Sequence, residues 1–309
     1  MSTAIVILNY NDYENTKKLV KNIKEYKILD KIVIVDNKST NNDELKRLNT
    51  LICDKVDVIV SDKNGGYSYG NNYGLKYIDK KYGEQKFEYV IISNPDVYVK
   101  EYDIEKTIEF LNNNKKCVIA SPRMYYTNGP ARRSAWKNRK IITDIANSTR
   151  ITQAILFPFF KKGEYSKKDF KNSVQEVDAI AGSFFVANHK LFRNIGYFDE
   201  NTFLFYEEDI IGVKAKEKGY SIFSLNNLSF IHYESKTIGK IMNIFKKQDV
   251  LFNSRIYFQK EYNKANSFQI MIFMILRYIR KVELIFETLI KKVINSWHYI
   301  FLMIKYYCT

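Results

Sequence analysis

Short β-branched runs alternate with stretches of helical periodicity through the first hundred residues, a pattern that predicts βαβ units and a mainly parallel sheet. Residues 4–8 read as the first strand, and apolar positions spaced through 13–26 predict a helix. The Ile-Val-Ile-Val core of Lys31–Asp36 predicts a strand covered on both faces. Residues 56–61 and 88–93 repeat the strand pattern. The second of these runs into Asn94-Pro95-Asp96, where proline takes the chain out of regular pairing. Each polar cluster therefore follows a strand. In an open α/β sheet, ligands bind beyond the carboxyl ends of the strands, so Asn9, Asp36 and Asp96 are expected to converge there.

From about 125 to 174 the pattern is irregular, with Gly129-Pro130 and the basic Arg132, Arg133, Lys137, Arg139 and Lys140, which predicts surface loops and short helices. Regular patterning returns as a strand at 177–188, a helix at 206–218, and strand and turn at 221–232. Over 268–307 apolar residues dominate, while Arg277, Lys281, Glu287, Lys291, Asn295, His298 and Lys305 recur at near-helical spacing, the pattern of an amphipathic helix. The longest unbroken apolar run there, 270–276, is far shorter than the roughly 18 to 20 residues a spanning helix needs. Surface association with a membrane is the expectation, because Trp297, Tyr299 and Phe301 beside lysines suit the headgroup region. Packing on the core or on a partner chain would leave the same stripe. The expected division is a domain over 1–235 and a helical extension over 236–309.

With 46% hydrophobic residues in 309, the chain can bury a substantial core, which excludes disorder as a description. Three widely separated cysteines offer neither a disulfide framework nor a zinc ribbon. The apolar 4–8 stretch is too short for a signal-peptide core, so a reducing cytoplasmic setting is expected, peripheral on the inner face of the cell membrane. A net charge of +15 suggests nucleic acid, but the lysines are scattered rather than clustered. Anionic membrane is the preferred partner, no nucleic acid is expected, and an oligomer is compatible.

Several constellations carry candidate chemistry. Asp36 ends a buried strand and is followed by Asn37-Lys38-Ser39, a placement that suits hydrogen bonding to a base or ribose and equally suits a helix N-cap. The segment 64–74 holds four of the twelve glycines, which permits tight turns and close backbone approach to a ligand. It has neither the Gly-Lys-Ser/Thr ending of a phosphate loop nor dinucleotide-fingerprint spacing. Asp96 is the metal candidate, since a hard cation bridging phosphate oxygens needs only one or two protein carboxylates. Its plain alternative is a turn aspartate. His232 is a possible second ligand, and mixed imidazole and carboxylate coordination favours manganese-like ions. Glu207-Glu208-Asp209 opens a helix after Phe203-Leu204-Phe205-Tyr206, where Asp209 or Glu208 is suited to accept a proton from an acceptor hydroxyl.

Together, Val6-Ile7-Leu8-Asn9-Tyr10-Asn11, Val35-Asp36-Asn37-Lys38-Ser39, 64–74, Asn94-Pro95-Asp96, Gly182-Ser183, Phe198-Asp199-Glu200, 206–209 and His232 form an ordered set over residues 4–235. The set resembles the family-two inverting glycosyltransferases of GT-A fold, particularly their bacterial rhamnosyltransferase-like branch. The resemblance implies an α/β GT-A fold with a mainly parallel central sheet flanked by helices. It implies transfer from a nucleotide-diphosphate donor, dTDP-rhamnose or a UDP-hexose, to a glycan or lipid-linked acceptor in surface polysaccharide biosynthesis. By the same resemblance Asn9, Asp36 and Asn64, with Gly65 and Asn94, line the nucleotide site. The resemblance also implies that Asp96 and His232 hold Mn or Mg and that Asp209 is the base with Glu208 next to it; Arg132 and Arg133 of the basic cluster, with Gly182 and Ser183, are expected toward acceptor or diphosphate. Where many relatives carry two carboxylates, Asn94-Pro95-Asp96 has one. A nucleotide-sugar-binding protein of the same fold without turnover is the alternative.

Overall fold

The structure is a computed structural model that describes the whole chain except residues 128, 130, 132–133, 157–164, 166–168, 234–241 and 308–309, and over 292–307 it describes the backbone alone. Two compact units result. The first comprises Met1–Arg139 and Gly163–Ile241; the second comprises Lys140–Lys162 and Met242–Thr309. The second unit thus joins 140–162 to 242–309, whereas the expected extension ran over 236–309 alone.

The first unit is built on a sheet that opens with three parallel strands, β1 (Thr3–Asn9), β2 (Lys31–Asp36) and β3 (Val56–Val60). The helices α1 (Tyr13–Ile23) and α2 (Glu44–Asn49) connect them. A long helix, α3 (Gly66–Tyr82), then leads to β4 (Tyr89–Ser93), which lies parallel to β1 on its other side. The sheet continues through a short β5 (Val97–Val99), α4 (Glu101–Asn113) and β6 (Cys117–Tyr125). A two-residue β7 (Ala135–Trp136) follows. Among the described residues the strand order runs β3-β2-β1-β4-β10-β6-β11-β5, with β10 (Phe184–Asn188) and β11 (Ser221–His232) supplied from late in the chain. An edge strand, β8 (Val174–Val177), pairs with β11. The strands β1 to β4, β6 and β11 point one way, while β10, β5 and β8 run antiparallel, so the sheet is mostly parallel as its alternation predicts.

Both faces are covered, which is why the strands read as unbroken apolar runs. Ile5, Ile7, Ile32, Ile34 and Ile91 face one core with residues of α1 and α4. The alternate positions Ala4, Val6, Val33, Val35, Val90 and Ile92 face a second core with Leu75 and Ile78 of α3. Gly70 and Gly74 let α3 lie close on this face, because a Cβ on Gly70 would overlap Leu8 and one on Gly74 would overlap Val6 and Val35. These two glycines therefore serve helix-on-sheet packing rather than the ligand approach expected for the cluster.

The single strand expected at 177–188 is broken into β8, β9 (Ala179–Ile180) and β10. The cause is a diversion of the backbone at Gly182-Ser183, whose polar groups bond outside the ladder: the Gly182 N–H donates to Glu208 and the Ser183 carbonyl accepts from the Asn94 N–H. After α7 (His189–Asn194), the chain enters α8 (Glu207–Glu217) through Phe205 and Tyr206, both at positive φ (74° and 71°). Two consecutive bulky residues in the left-handed region mark a strained entry, of the kind found where a backbone is held for function.

The second unit is helical: α5 (Ile141–Ala146), α6 (Arg150–Leu156), α9 (Ile244–Glu261) and α10 (Ser267–Tyr307). Phe252, Phe258, Phe273 and Leu284 form its buried apolar part. Buried polar pairs tie it together, with Gln259 Nε2 donating to Asp144 Oδ2 (2.6 Å) and Arg255 Nη1 to Ser148 Oγ (2.9 Å). The Glu283 carboxylate accepts from the N–H groups of Arg150 and Ile151 (2.9 and 3.0 Å), capping the otherwise orphaned start of α6. Among the described residues no helix is long and apolar enough to cross a membrane.

Candidate active site

Asp96 and His232 lie 136 residues apart in sequence, and the β5/β11 ladder brings them together. β5 begins one residue after Asp96, and its antiparallel register sets His232 opposite Val97. The Tyr233 N–H then donates to the Asp96 carbonyl (2.9 Å), and His232 Nε2 stands 3.1 Å from Asp96 Oδ1. Asp96 is buried at 6% exposure while His232 stays half-buried. The pair suits a divalent cation: two ligand atoms bound at roughly 2.1 Å in a tetrahedral or octahedral shell stand about 3 Å apart. Among the described residues no group of three or more His, Cys, Asp or Glu could hold a metal. A cation here would complete its shell from diphosphate oxygens and water.

A second set of acids faces the same sheet edge. Asn94, two residues before Asp96, donates its N–H to the Ser183 carbonyl (2.8 Å), and the neighbouring Gly182 N–H donates to Glu208 Oε1 (3.0 Å). A short run of hydrogen bonds, one between backbones and one from backbone to carboxylate, thus links the Asp96 loop to the first turn of α8. The Tyr67 hydroxyl adds a bond to the Gly182 carbonyl, fixing the same loop from α3. Gly66 makes this approach possible: its φ is +90°, the Tyr67 N–H donates to the Phe203 carbonyl (2.9 Å), and a Cβ at Gly66 would overlap that carbonyl.

The three acids of α8 differ in environment. Burial pushes the Glu207 carboxyl well above the usual carboxylate range, the charge of Glu208 adding to it. Its Oε2 has no hydrogen-bond partner among the described residues. Burial also raises Glu208, against the opposing pull of its backbone hydrogen bonds, and Glu208 remains half-buried rather than enclosed. Asp209 is wholly enclosed, at 0% exposure. Its Oδ1 accepts from the Trp136 indole (3.1 Å), and its Oδ2 lies 3.3 Å from Arg139 Nε. Arg139 also stacks over the Tyr206 ring, so Trp136 and Arg139 clamp Asp209 from the segment after β6. No local pattern in the sequence signals that clamp, because the partners sit about seventy residues upstream in the irregular region.

The expected nucleotide residues divide. Asn9 and Asp36 are register partners at the carboxyl ends of β1 and β2, but the Asn9 side chain is fully buried. Its amide donates to Glu44 (3.0 Å) and its oxygen accepts from Thr16 (2.8 Å), so Asn9 ties β1 to α1 and α2 and has no face for a ligand. Asp36 is 3% exposed and accepts from the Ser39 N–H (3.2 Å), the turn-closing role. Asn37, absent from the expected set, joins the loops: it donates to Asn64 and to the Gly66 carbonyl and accepts from Ser61. Asn64, Gly65 and Asn94 are half-buried along the same edge. The nearest atoms a Cβ on Gly65 would meet belong to the Tyr69 side chain of α3. Ser183 is buried and donates to Met124 Sδ (3.4 Å), while Arg132 and Arg133 lie outside the described residues.

Comparison with known proteins places this arrangement. Over 230 residues the chain is 28% identical to the low-salt glycan biosynthesis hexosyltransferase Agl10 of Haloferax volcanii, an alignment that covers 74% of this chain and 66% of that protein. It is 24% identical to the rhamnosyltransferase WbbL of Escherichia coli, over 74% of this chain and 82% of that one. Among solved structures, it superposes on GalNAc-T7 with UDP, GalNAc and Mn2+ at a TM-score of 0.58 and 14% identity, covering 75% of this chain and 44% of the other. It also superposes on the mannosyltransferase PcManGT of Pyrobaculum calidifontis with GDP-Man and Mn2+, at a TM-score of 0.55 and 12% identity, covering 86% and 65%. TarS of S. aureus with UDP-GlcNAc gives a TM-score of 0.53 at 14% identity, covering 88% and 70%. These likenesses establish the GT-A fold. The model of glycosyl transferase family 2 matches residues 4–194, the greater part of the first unit, and the chain belongs to that family.

Proposed function

We propose that the chain is an inverting glycosyltransferase that moves a hexosyl or rhamnosyl group from a nucleoside-diphosphate sugar to a hydroxyl of a glycan or lipid-linked acceptor in surface polysaccharide biosynthesis. The observation that carries this reading is the convergence, at one sheet edge, of Asp96 and His232 with the first-turn acids of α8. The hexosyltransferase and rhamnosyltransferase names of its relatives support the substrate class.

Transfer with inversion is a single displacement. The bond from the acceptor oxygen to the anomeric carbon forms as the bond from that carbon to the diphosphate oxygen breaks, and the hydroxyl proton passes to a carboxylate. Such a base has to touch the acceptor oxygen. Glu208 keeps an open side and a raised pKa suited to taking a proton, and it is held in place by the Gly182 N–H. Asp209 is enclosed by Trp136 and Arg139 and serves as a positioning residue for that wall. Asp96 and His232 would hold a divalent ion, Mn or Mg, which neutralises charge on the departing diphosphate. Asn64, Gly65 and Asn94 line the edge where the nucleotide would lie.

The test is incubation of purified protein with dTDP-rhamnose and a panel of UDP- and GDP-hexoses, with acceptor glycans and Mn2+, measuring nucleoside diphosphate release with and without EDTA. Release from one donor, abolished by EDTA, with an inverted linkage in the product, is the expected result. Absence of metal-dependent release from every donor would overturn the reading.

A further inference from the structure

The outer face of α10 is built unlike the surface of a helix that merely covers its own core. Phe268, Met271, Ile275, Tyr278, Val282 and Phe286 recur every three or four residues, each between 47% and 67% exposed, and Leu289 and Ile290 continue the row. With the exposed Met274 and Ile285 at its margin, the face spans an arc of about 160° at 3.6 residues per turn, and between 268 and 290 no Lys, Arg, Asp or Glu interrupts it. The charged residues of the same stretch lie on the packed side and are engaged there. Arg277 and Lys281 pair with Asp249 of α9, and Arg280 pairs with Glu283 and Glu287. A helix packed by one face normally turns its polar residues outward. This one packs with its charges inward and leaves its apolar side to the surroundings.

Width and charge together select the occupant. A two-stranded coiled coil needs only two apolar positions in seven, a narrower seam than this arc, and it gains its pairing from flanking charges that the face lacks. The second unit carries 15 Lys and Arg against five Asp and Glu, which is +10 of the whole chain's +15. A basic unit with a broad, charge-free, aromatic-bearing helix face matches an anionic lipid surface. We propose that the outer face of α10 lies in the interfacial layer of an anionic membrane, with the helix parallel to the membrane plane, and that this is the docking surface of the second unit. The proposal stands independently of the sugar-transfer reading.

The full chain is tested by cosedimentation with vesicles of phosphatidylcholine alone and with about 30% phosphatidylglycerol added. Binding to the anionic vesicles, weakened by high salt and weakened at least about tenfold in the double variant Tyr278→Ser with Phe286→Ser, is expected. The thermal midpoint of that variant should stay unchanged, because both side chains point away from the packed side. Should the double variant fail to fold, Tyr278→Trp provides a second reading: its emission should shift to the blue, relative to the unsubstituted chain, when anionic vesicles are added. No sedimentation with anionic vesicles, undiminished binding by a folded double variant, or an unshifted Tyr278→Trp spectrum overturns the proposal. So does a dimer in sedimentation velocity that the two Ser substitutions dissolve while vesicles bind nothing, since the face would then belong to a second copy of the chain.

Discussion

Replacing Glu208 by Gln separates chemistry from architecture at the centre of the site. The amide oxygen of Gln can still accept the Gly182 N–H that Glu208 Oε1 accepts at 3.0 Å, so the loop linking α8 to Asn94 should keep its place. What the substitution removes is the ability to take a proton, which contributes a factor of about 10² to 10⁴ in rate. On the transition-state scale that is about 3–5 kcal/mol. Stability should move the other way or not at all. Burial raises the Glu208 carboxyl, so its ionised form is disfavoured in the fold, and a neutral Gln removes that cost. The assay is transfer rate at saturating donor, read beside donor Kd by calorimetry and the thermal midpoint, for the unsubstituted chain, Glu208→Gln and Asp209→Asn. Glu208→Gln should lose about a hundredfold or more, on the order of the base contribution, with donor Kd and midpoint preserved. For Asp209→Asn it predicts a lowered midpoint, because the Trp136 and Arg139 contacts are weakened. Glu208→Gln with near-normal turnover, beside a folded but inactive Asp209→Asn, would refute the reasoning and return the base to Asp209.

Asp96→Ala and His232→Ala should each weaken metal-dependent donor binding by at least about tenfold while leaving the thermal midpoint in EDTA little changed, as calorimetry with and without Mn2+ would show. Glu207 is pushed well above the usual carboxylate range by burial, so its ionisation costs stability. Stability should therefore fall as pH rises from the ordinary carboxylate range toward its raised value, and Glu207→Gln should flatten that slope in denaturant titrations at several pH values. Gly66→Ala should destabilise the first unit by about 1–3 kcal/mol, because φ is +90° and the new Cβ would overlap the Phe203 carbonyl. An unchanged unfolding midpoint would show that this loop can shift freely.

Much of the fold could be read from the chain because the central strands are buried on both faces. The β-branched run alone delimits Lys31–Asp36, and β2 spans the same residues. The long strand and turn at 221–232 likewise follow a local pattern. Contacts set far along the chain were the harder part. Nothing within the sequence around Asn9 tells a strand-end amide that faces a ligand from one spent on Glu44 and Thr16, since the same residue type serves both. The break at Gly182-Ser183 arises from partners at Asn94 and Glu208, beyond any local window. The enclosure of Asp209 depends on Trp136 and Arg139, which sit where the sequence pattern is irregular. The irregular pattern over 125–174 predicts only surface loops and short helices, and the membership of α5 and α6 in the second unit rests on distant partners such as Glu283 and Gln259. By contrast, the neighbourhood of Asp96 and His232 follows from strand order, because β5 leaves the Asp96 turn directly into the ladder that ends at His232.

The measurement that bears most directly on the central claim is a crystal structure of the chain grown with Mn2+ and a nucleoside diphosphate, with the metal located by anomalous scattering. One anomalous peak within about 2.0–2.4 Å of both Asp96 and His232, touching diphosphate oxygens, with Glu208 open toward the space beside it, is the expected result. A nucleotide bound away from that sheet edge, or a metal peak that touches neither residue, would contradict it.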